Sequence, residues 1–254
     1  MKKPSREGWQ GWDEYAPFYD WENARTLGRR DIPFWQRVAA EADGRVLELG
    51  CGTGRISIPM VKSGVDLVGV DRSEAMLARL RKRKTPVNVA RADIRNLPFK
   101  RRSFEMVLAP YGVLQSLVRE RDLTETLESV ARVIKRGGTF GLDLVPDVPE
   151  WREYENKVRM KGEAKGGARL TLVESVRQDP RRHLTTFEQQ YIERRGRTTR
   201  THRFELTFRT LTISQMSTRL ERAGFQVETV LGDYRGRPWD ERADVWIILA
   251  NWPG

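Results

Sequence analysis

The stretch Val46-Leu47-Glu48-Leu49-Gly50-Cys51-Gly52-Thr53-Gly54 decides the reading of this chain. A short apolar run carries one acid, Glu48, and then three glycines alternate with Cys51 and Thr53. The residues that follow, 55–62, read as the start of a helix. A strand that breaks into a glycine turn and then a helix is a ligand-cradling device. Glycine lets the backbone bend sharply and approach a ligand closely, and the first helical turn offers free N–H groups. The spacing here is G-x-G-x-G, with an acid two positions before the first glycine. The dinucleotide fingerprint is G-x-G-x-x-G.

Strands and helices alternate outward from this turn. Residues 45–49 read as a first strand, 54–63 as a helix and 66–71 as a second strand. Ser73 is the N-cap of a helix that starts at Glu74. Residues 87–92, 103–109 and 139–145 read as the next three strands. An amphipathic helix over 123–134 precedes the last of them, and its basic final turn and Gly137-Gly138 read as a C-cap. A helix over 214–223 and strands at 225–231 and 245–250 complete the pattern. The expectation is an α/β fold, a Rossmann-like, doubly wound, seven-stranded and mostly parallel sheet. Ligands in such sheets bind at the carboxyl ends of the strands. Residues 168–177, 184–194 and 199–210 read instead as long antiparallel strands, turning at Asp179-Pro180 and Arg195-Gly196-Arg197. The organisation expected is one domain over 1–254, with an N-terminal helical cap at 8–42 and a C-terminal-half antiparallel β insert at 151–210. The cap is rich in aromatics (Trp9, Trp12, Tyr15, Phe18, Tyr19, Trp21) and ends in a helical stretch from about residue 31 to 42.

Composition narrows the class. The chain has 254 residues, of which 39% are hydrophobic and 32% charged, so it builds a folded core. The single cysteine, Cys51, excludes an intrachain disulfide and reads as a small residue of the turn. No apolar run approaches the roughly 20 residues of a membrane span. The first residues lack an apolar signal segment, and the expectation is a cytoplasmic protein with no membrane partner. The net charge of +11 raises the question of nucleic acid. The basic run at 79–84 suits a helix C-terminus. The arginines at 177, 181, 182, 194, 195, 197, 200, 203 and 209 fall on strands and turns, as on a solvated sheet face. Nucleic acid is therefore not favoured. His183 and His202 have no metal-ligand spacing, and no metal is expected.

Taken in order, these features resemble those of the class I S-adenosylmethionine (SAM)-dependent methyltransferases, in particular a small-molecule group with an antiparallel insert. The glycine turn resembles motif I of that family. The resemblance implies SAM as cofactor and S-adenosylhomocysteine as product. It implies a cofactor set of Glu48, Gly50, Cys51, Gly52 and Gly54 at the turn, Asp71 and Arg72 after strand two, Asp93 and Ile94 after strand three, and Pro110 after strand four. Asp71 would accept the ribose hydroxyls and Asp93 would face the adenine amino group. Met76 either packs on the adenine or belongs to the core. Each acid alone also fits a bland role: Glu48 an edge charge, Asp71 a turn, Asp93 an N-cap. The segment Tyr15-Ala16-Pro17-Phe18-Tyr19-Asp20 resembles an N-terminal opening that folds over the cofactor. Tyr19 and Arg30 are then the candidates for the methionine carboxylate, with Tyr15 and Arg29 as competitors.

The cofactor chemistry this implies needs alignment and exclusion of water, and orientation supplies roughly 7–11 kcal/mol of such a barrier. A base is required only for a protonated acceptor, so no fixed catalytic side chain is specified. Tyr111, His183 and His202 are the candidates. The segment Ala109-Pro110-Tyr111-Gly112 departs from the [DN]-P-P-[YF] of amino-methylating DNA enzymes. Acceptor contacts are assigned to Tyr111, Arg209, Tyr234 and Trp239, each of which also suits ordinary packing. The function expected is methyl transfer from SAM to an N or O nucleophile of a small molecule. The alternatives are an RNA or protein methyltransferase and a non-catalytic SAM-binding protein. The insert is expected to act as a lid or as the contact of a homodimer.

Overall fold

A computed structural model describes residues 11–25, 30–145, 153–243 and 245–254. Trp9 and Arg29 lie outside the described residues. The elements run α1 (Trp12–Asn23), α2 (Ile32–Ala40), β1 (Val46–Leu49), α3 (Ser57–Lys62), β2 (Leu67–Asp71), α4 (Glu74–Arg81), β3 (Asn88–Arg91), β4 (Phe104–Ala109), α5 (Glu120–Val133) and β5 (Ile134–Leu144). They continue with β6 (Tyr154–Glu163), β7 (Arg169–Asp179), β8 (Leu184–Arg195), β9 (Thr198–Arg209), α6 (Ile213–Arg222), β10 (Gln226–Leu231) and β11 (Trp246–Trp252).

Seven strands form one sheet in the order β10-β11-β5-β4-β1-β2-β3. Strands β1 to β5 run parallel to one another, and β11 runs antiparallel to both β5 and β10. Alternate residues of the central strands serve opposite faces. Leu47, Leu49, Val107 and Phe140 meet α5 and α6 through Leu127, Val130, Met216 and Leu220. Val46, Met106 and Leu108 meet α2 and α3 through Trp35 and Met60. Burial on both faces is why these strands are nearly continuous apolar runs.

Four strands form a second, antiparallel sheet in the order β6-β7-β8-β9. Three of them match the expected meander. The fourth, β6, is an exposed edge strand whose sequence, Tyr-Glu-Asn-Lys-Val-Arg-Met-Lys-Gly-Glu, has too little apolar alternation to announce it. Charged residues are a usual protection for an unpaired sheet edge.

The N-terminal cap divides into two helices with different duties. Helix α2 packs on the main sheet. Helix α1, not resolved as a helix by the sequence pattern, lies along α4 and against the second sheet. Phe18 stacks on Tyr191 with ring centroids 4.1 Å apart, and Leu170, Leu172, Phe204 and Leu206 complete that core. Pro17 lies inside α1.

The expected glycine C-cap of α5 is corrected. The helix ends at Val133, and the backbone N–H groups of Arg102 and Ser103 donate to the terminal carbonyls of Arg132 and Val133 at 3.1 and 2.7 Å. Gly137-Gly138 instead sits in β5, where the β4–β5 register shifts between Phe104 and Met106. A Cβ on Gly138 would lie 2.6 Å from the Glu105 carbonyl oxygen. Glycine is needed there for close strand approach rather than for a helix stop.

Candidate functional site

Successive parallel strands end at one level, and the turns that follow β1, β2, β3 and β4 together line a cavity of about 410 Å³. Helix α1, Met76 of α4, Asp122 of α5 and Phe208 of β9 supply further wall. The cavity lies at the carboxyl ends of the strands, where the order reverses between β1 and β4.

The glycine turn is specialised residue by residue. Gly50, Gly52 and Gly54 all have positive φ, at +65°, +54° and +84°. A Cβ on Gly52 would have no neighbour nearer than 3.8 Å, so the space beside it belongs to the cavity. A Cβ on Gly54 would lie 2.1 Å from Leu80 Cδ1. Gly54 therefore packs the turn onto α4 and does not line the cavity, contrary to its expected cofactor role. Cys51 is buried, burial pushes its thiol well up, and its side chain faces Gly69 of β2.

Asp71 ends β2 and is fixed by the backbone around it. Its Oδ2 accepts the Gly52 N–H at 2.8 Å and its Oδ1 accepts the Ser73 N–H at 2.8 Å. Burial raises its carboxyl above the ordinary value, against the pull of these two donors. Each oxygen keeps a further lone pair, so the carboxylate suits a vicinal diol. Ser73 caps α4 by accepting the Met76 N–H, and its hydroxyl donates to Asp13 of α1.

Asp93 is a true N-cap, accepting the Arg95 N–H at 3.0 Å, and it also pairs with Arg72 at 3.0 Å and Arg95 at 2.7 Å. Burial opposes its charge, but the hydrogen bonds from Arg95 outweigh burial and hold the carboxyl below its usual value. Ile94, Pro110 and Met76 line the cavity with it.

Glu48 is 2% exposed, lines the cavity and accepts the Ser57 hydroxyl. Burial pushes its carboxyl up to about 7, against the Ser57 bond and Arg55. Tyr19 and Tyr111 also line the cavity, with rings 6.5 Å apart, edge to face. Burial pushes the Tyr19 hydroxyl up to about 12.

The basic group at this end is Arg55 and not Arg30. Arg30 is exposed and does not line the cavity. Arg55 does, donating to both oxygens of Asp31 at 2.8 and 2.6 Å, and its guanidinium lies 4.7 Å from the Tyr111 ring centroid. One sequence signal was available. A cation just ahead of a helix opposes the helix dipole, which hints that a partner holds it.

The remaining candidates do not meet the cavity. His183 sits in the turn between β7 and β8 with φ of +52°. His202 packs beside Phe18, 3.5 Å from Glu193. Arg209 is committed to Glu120, which also holds Arg219. Tyr234 donates its hydroxyl to Asp143 at 2.7 Å, and Trp239 meets Trp246 edge to face. His183 and Trp239 are exposed away from the cavity, and Tyr111 alone of the expected acceptor and base candidates lies in its wall. Among the described residues no cluster of His, Cys, Asp or Glu is arranged to hold a metal. No helix among them is long and apolar enough to cross a membrane.

Comparison with known proteins finds methyltransferases. Residues 46–138 match the family described as a methyltransferase domain. The chain is 33% identical over 156 residues to demethylmenaquinone methyltransferase of Paenarthrobacter aurescens (strain TC1), covering 59% of this chain and 60% of that protein. It is 29% identical over 238 residues to cypemycin N-terminal methyltransferase of a Streptomyces species, covering 92% and 94%. A SAM-dependent methyltransferase from Clostridium acetobutylicum ATCC 824 shares the fold with a TM-score of 0.78 over 94% of this chain and 99% of that one, at 16% identity.

Proposed function

We propose that this chain, which carries a methyltransferase domain and the fold of the class I SAM-dependent methyltransferases, transfers a methyl group from SAM to an N or O nucleophile of a small-molecule acceptor. The observation that carries the reading is the joint between Gly52 and Asp71. The space beside a glycine that has no Cβ opens next to a carboxylate whose backbone contacts leave lone pairs for two hydroxyls.

SAM, when bound, supplies a methyl group already activated on a positive sulfonium. The work left to the protein is to hold, orient and exclude water. Asp71 would hold the ribose, and Asp93 with Ile94 the adenine end. Arg55, kept in place by Asp31, would meet a carboxylate at the methionine end in the role first expected of Arg30. Tyr19 and Tyr111 would close the wall where an acceptor approaches. Helix α1 covers the cavity and is pinned at both ends, through Asp13 to Ser73 and through Asp20 to Thr53 and Arg83.

A nitrogen acceptor gains support from a relative named as an N-terminal methyltransferase, which aligns over nearly its whole length, and from a solved structure of the same fold named as a sugar N-methyltransferase. A polymeric RNA acceptor rests only on net charge. Several of the insert's arginines are already paired on their own sheet, as in Arg177–Glu188 and Arg195–Glu193.

The test is calorimetric titration of the protein with S-adenosylhomocysteine, followed by a screen of amine and hydroxyl metabolites for its release from SAM. Absence of binding at millimolar ligand ends this reading.

A further inference from the structure

The cavity wall at Tyr111 is held in a conformation its residue type disfavours. Tyr111 has φ of +64° and Gly112 continues at +61°. The left-handed region costs a non-glycine residue about 1–2 kcal/mol. Such a residue persists where its surroundings over-determine it.

The surroundings that do so lie behind the cavity. The Gly112 N–H donates to Asp143 Oδ1 at 2.7 Å, and the Tyr234 hydroxyl donates to Asp143 Oδ2 at 2.7 Å. Asp143 is 1% exposed, on β5. Gln115 fastens the same loop, donating to the Val145 carbonyl and accepting the Val145 N–H, both at 2.9 Å. In front, the Tyr111 ring faces the guanidinium of Arg55. Neither Asp143 nor Tyr234 lines the cavity.

Burying a carboxylate is costly unless its oxygens are hydrogen-bonded. Here one oxygen serves the loop and the other serves the segment that follows β10. An apolar residue in its place would leave the Gly112 N–H unpaired. The groups facing Asp143 are that N–H and the Tyr234 hydroxyl, with Asp31 and Arg55 acting at longer range.

We propose that Asp143, anchored by Tyr234, is the positioning residue that sets Tyr111 against the cavity by accepting the Gly112 N–H. The consequence for methyl transfer rests on the reading of the cavity given above; the positioning itself does not. It links the segment after β10, outside the cavity, to the wall where an acceptor approaches.

The experiment is fluorine NMR on protein labelled with 3-fluorotyrosine. The chain has six tyrosines, and Tyr111→Phe assigns the Tyr111 resonance. Asp143→Ala is expected to shift or broaden that resonance beyond its line width, leaving Tyr154 of the insert unchanged. Tyr234→Phe is expected to move it less, in the same direction. Asp143→Asn, which keeps an oxygen for the Gly112 N–H, is expected to return it close to its original position. A Tyr111 resonance that stays in place in both Asp143→Ala and Tyr234→Phe overturns the proposal. If Asp143→Ala fails to fold, an unmoved resonance in Tyr234→Phe overturns it alone. Titration of the same samples with S-adenosylhomocysteine separates the two claims. A wild-type protein that does not bind removes the methyl-transfer reading, while the resonance still decides the positioning.

Discussion

Arg55 donates both terminal guanidinium nitrogens to the two oxygens of Asp31, joining the helix start after the glycine turn to the N-cap of α2. Asp31 is buried and Arg55 largely so, at 3% and 13% exposure. Removing one partner of a buried pair leaves an uncompensated charge, at a cost of about 3–5 kcal/mol. Asp31→Ala is expected to lose about that much stability in urea unfolding. Arg55→Lys keeps the charge but not the fork, and is expected to weaken S-adenosylhomocysteine binding. A loss below about 1 kcal/mol in Asp31→Ala would mean that the pair behaves like a surface contact.

The roles of Gly52 and Gly54 in the glycine turn separate experimentally. Gly52→Ala meets open space and only the left-handed backbone penalty, about 1–2 kcal/mol. It is expected to stay folded and to lose the thermal shift given by S-adenosylhomocysteine. Gly54→Ala drives its Cβ into Leu80 and is expected to lower the melting temperature sharply even without ligand. Equal melting temperatures for the two variants would contradict this division.

Asp71→Ala is expected to abolish most of the ligand-induced thermal shift. At one hundred times Kd, that shift corresponds to about 2.7 kcal/mol in the wild type. The variant also leaves the Gly52 and Ser73 N–H groups without their acceptor, so baseline stability falls too. A full shift retained in Asp71→Ala would place the ligand elsewhere.

Stability should fall as pH rises from about 4 to about 7 through two buried carboxyls. Burial raises Asp143 from 3.8 to about 6 and Glu48 from 4.5 to about 7. A group whose folded value is raised contributes stability that is present below its unfolded value and lost as pH climbs through its folded value. Glu120 works in the other direction. Hydrogen bonds from Arg219, with those from Arg209, hold it at about 2, so its contribution fades as pH falls below the ordinary range. It is half exposed, which keeps its effect small. Asp143→Asn is expected to gain stability relative to wild type between pH 4 and pH 8, by on the order of 3 kcal/mol. Denaturant unfolding at the two pH values checks this; an equal difference at both pH values refutes it.

The seven-stranded, mostly parallel sheet and several residues of its strand ends that line the cavity were legible in the chain. Buried parallel strands must be apolar on both faces, and each strand end delivers its next residues to a common level. Gly50, Gly52, Asp71 and Asp93 are therefore readable from spacing within single strand–turn–helix units. The insert edge β6 and helix α1 were not, because neither carries a clean apolar period of its own. Helix α1 is apolar on several sides because it is buried between α4 and the second sheet.

What the tertiary structure alone decided concerns residues far apart in sequence. Arg30 and Arg55 are equally basic on paper, and only packing shows that Arg55 meets Asp31 and the cavity. Arg209 and Tyr234 carry the right chemistry for an acceptor, but each is taken by a partner across the fold, Glu120 and Asp143. Asp143 gave no motif, because its significance is a hydrogen bond to a backbone N–H 31 residues away. Local sequence determines the glycine turn beside the cavity. Long-range contacts decide which polar side chains are free to face it, since buried polar groups must first satisfy one another.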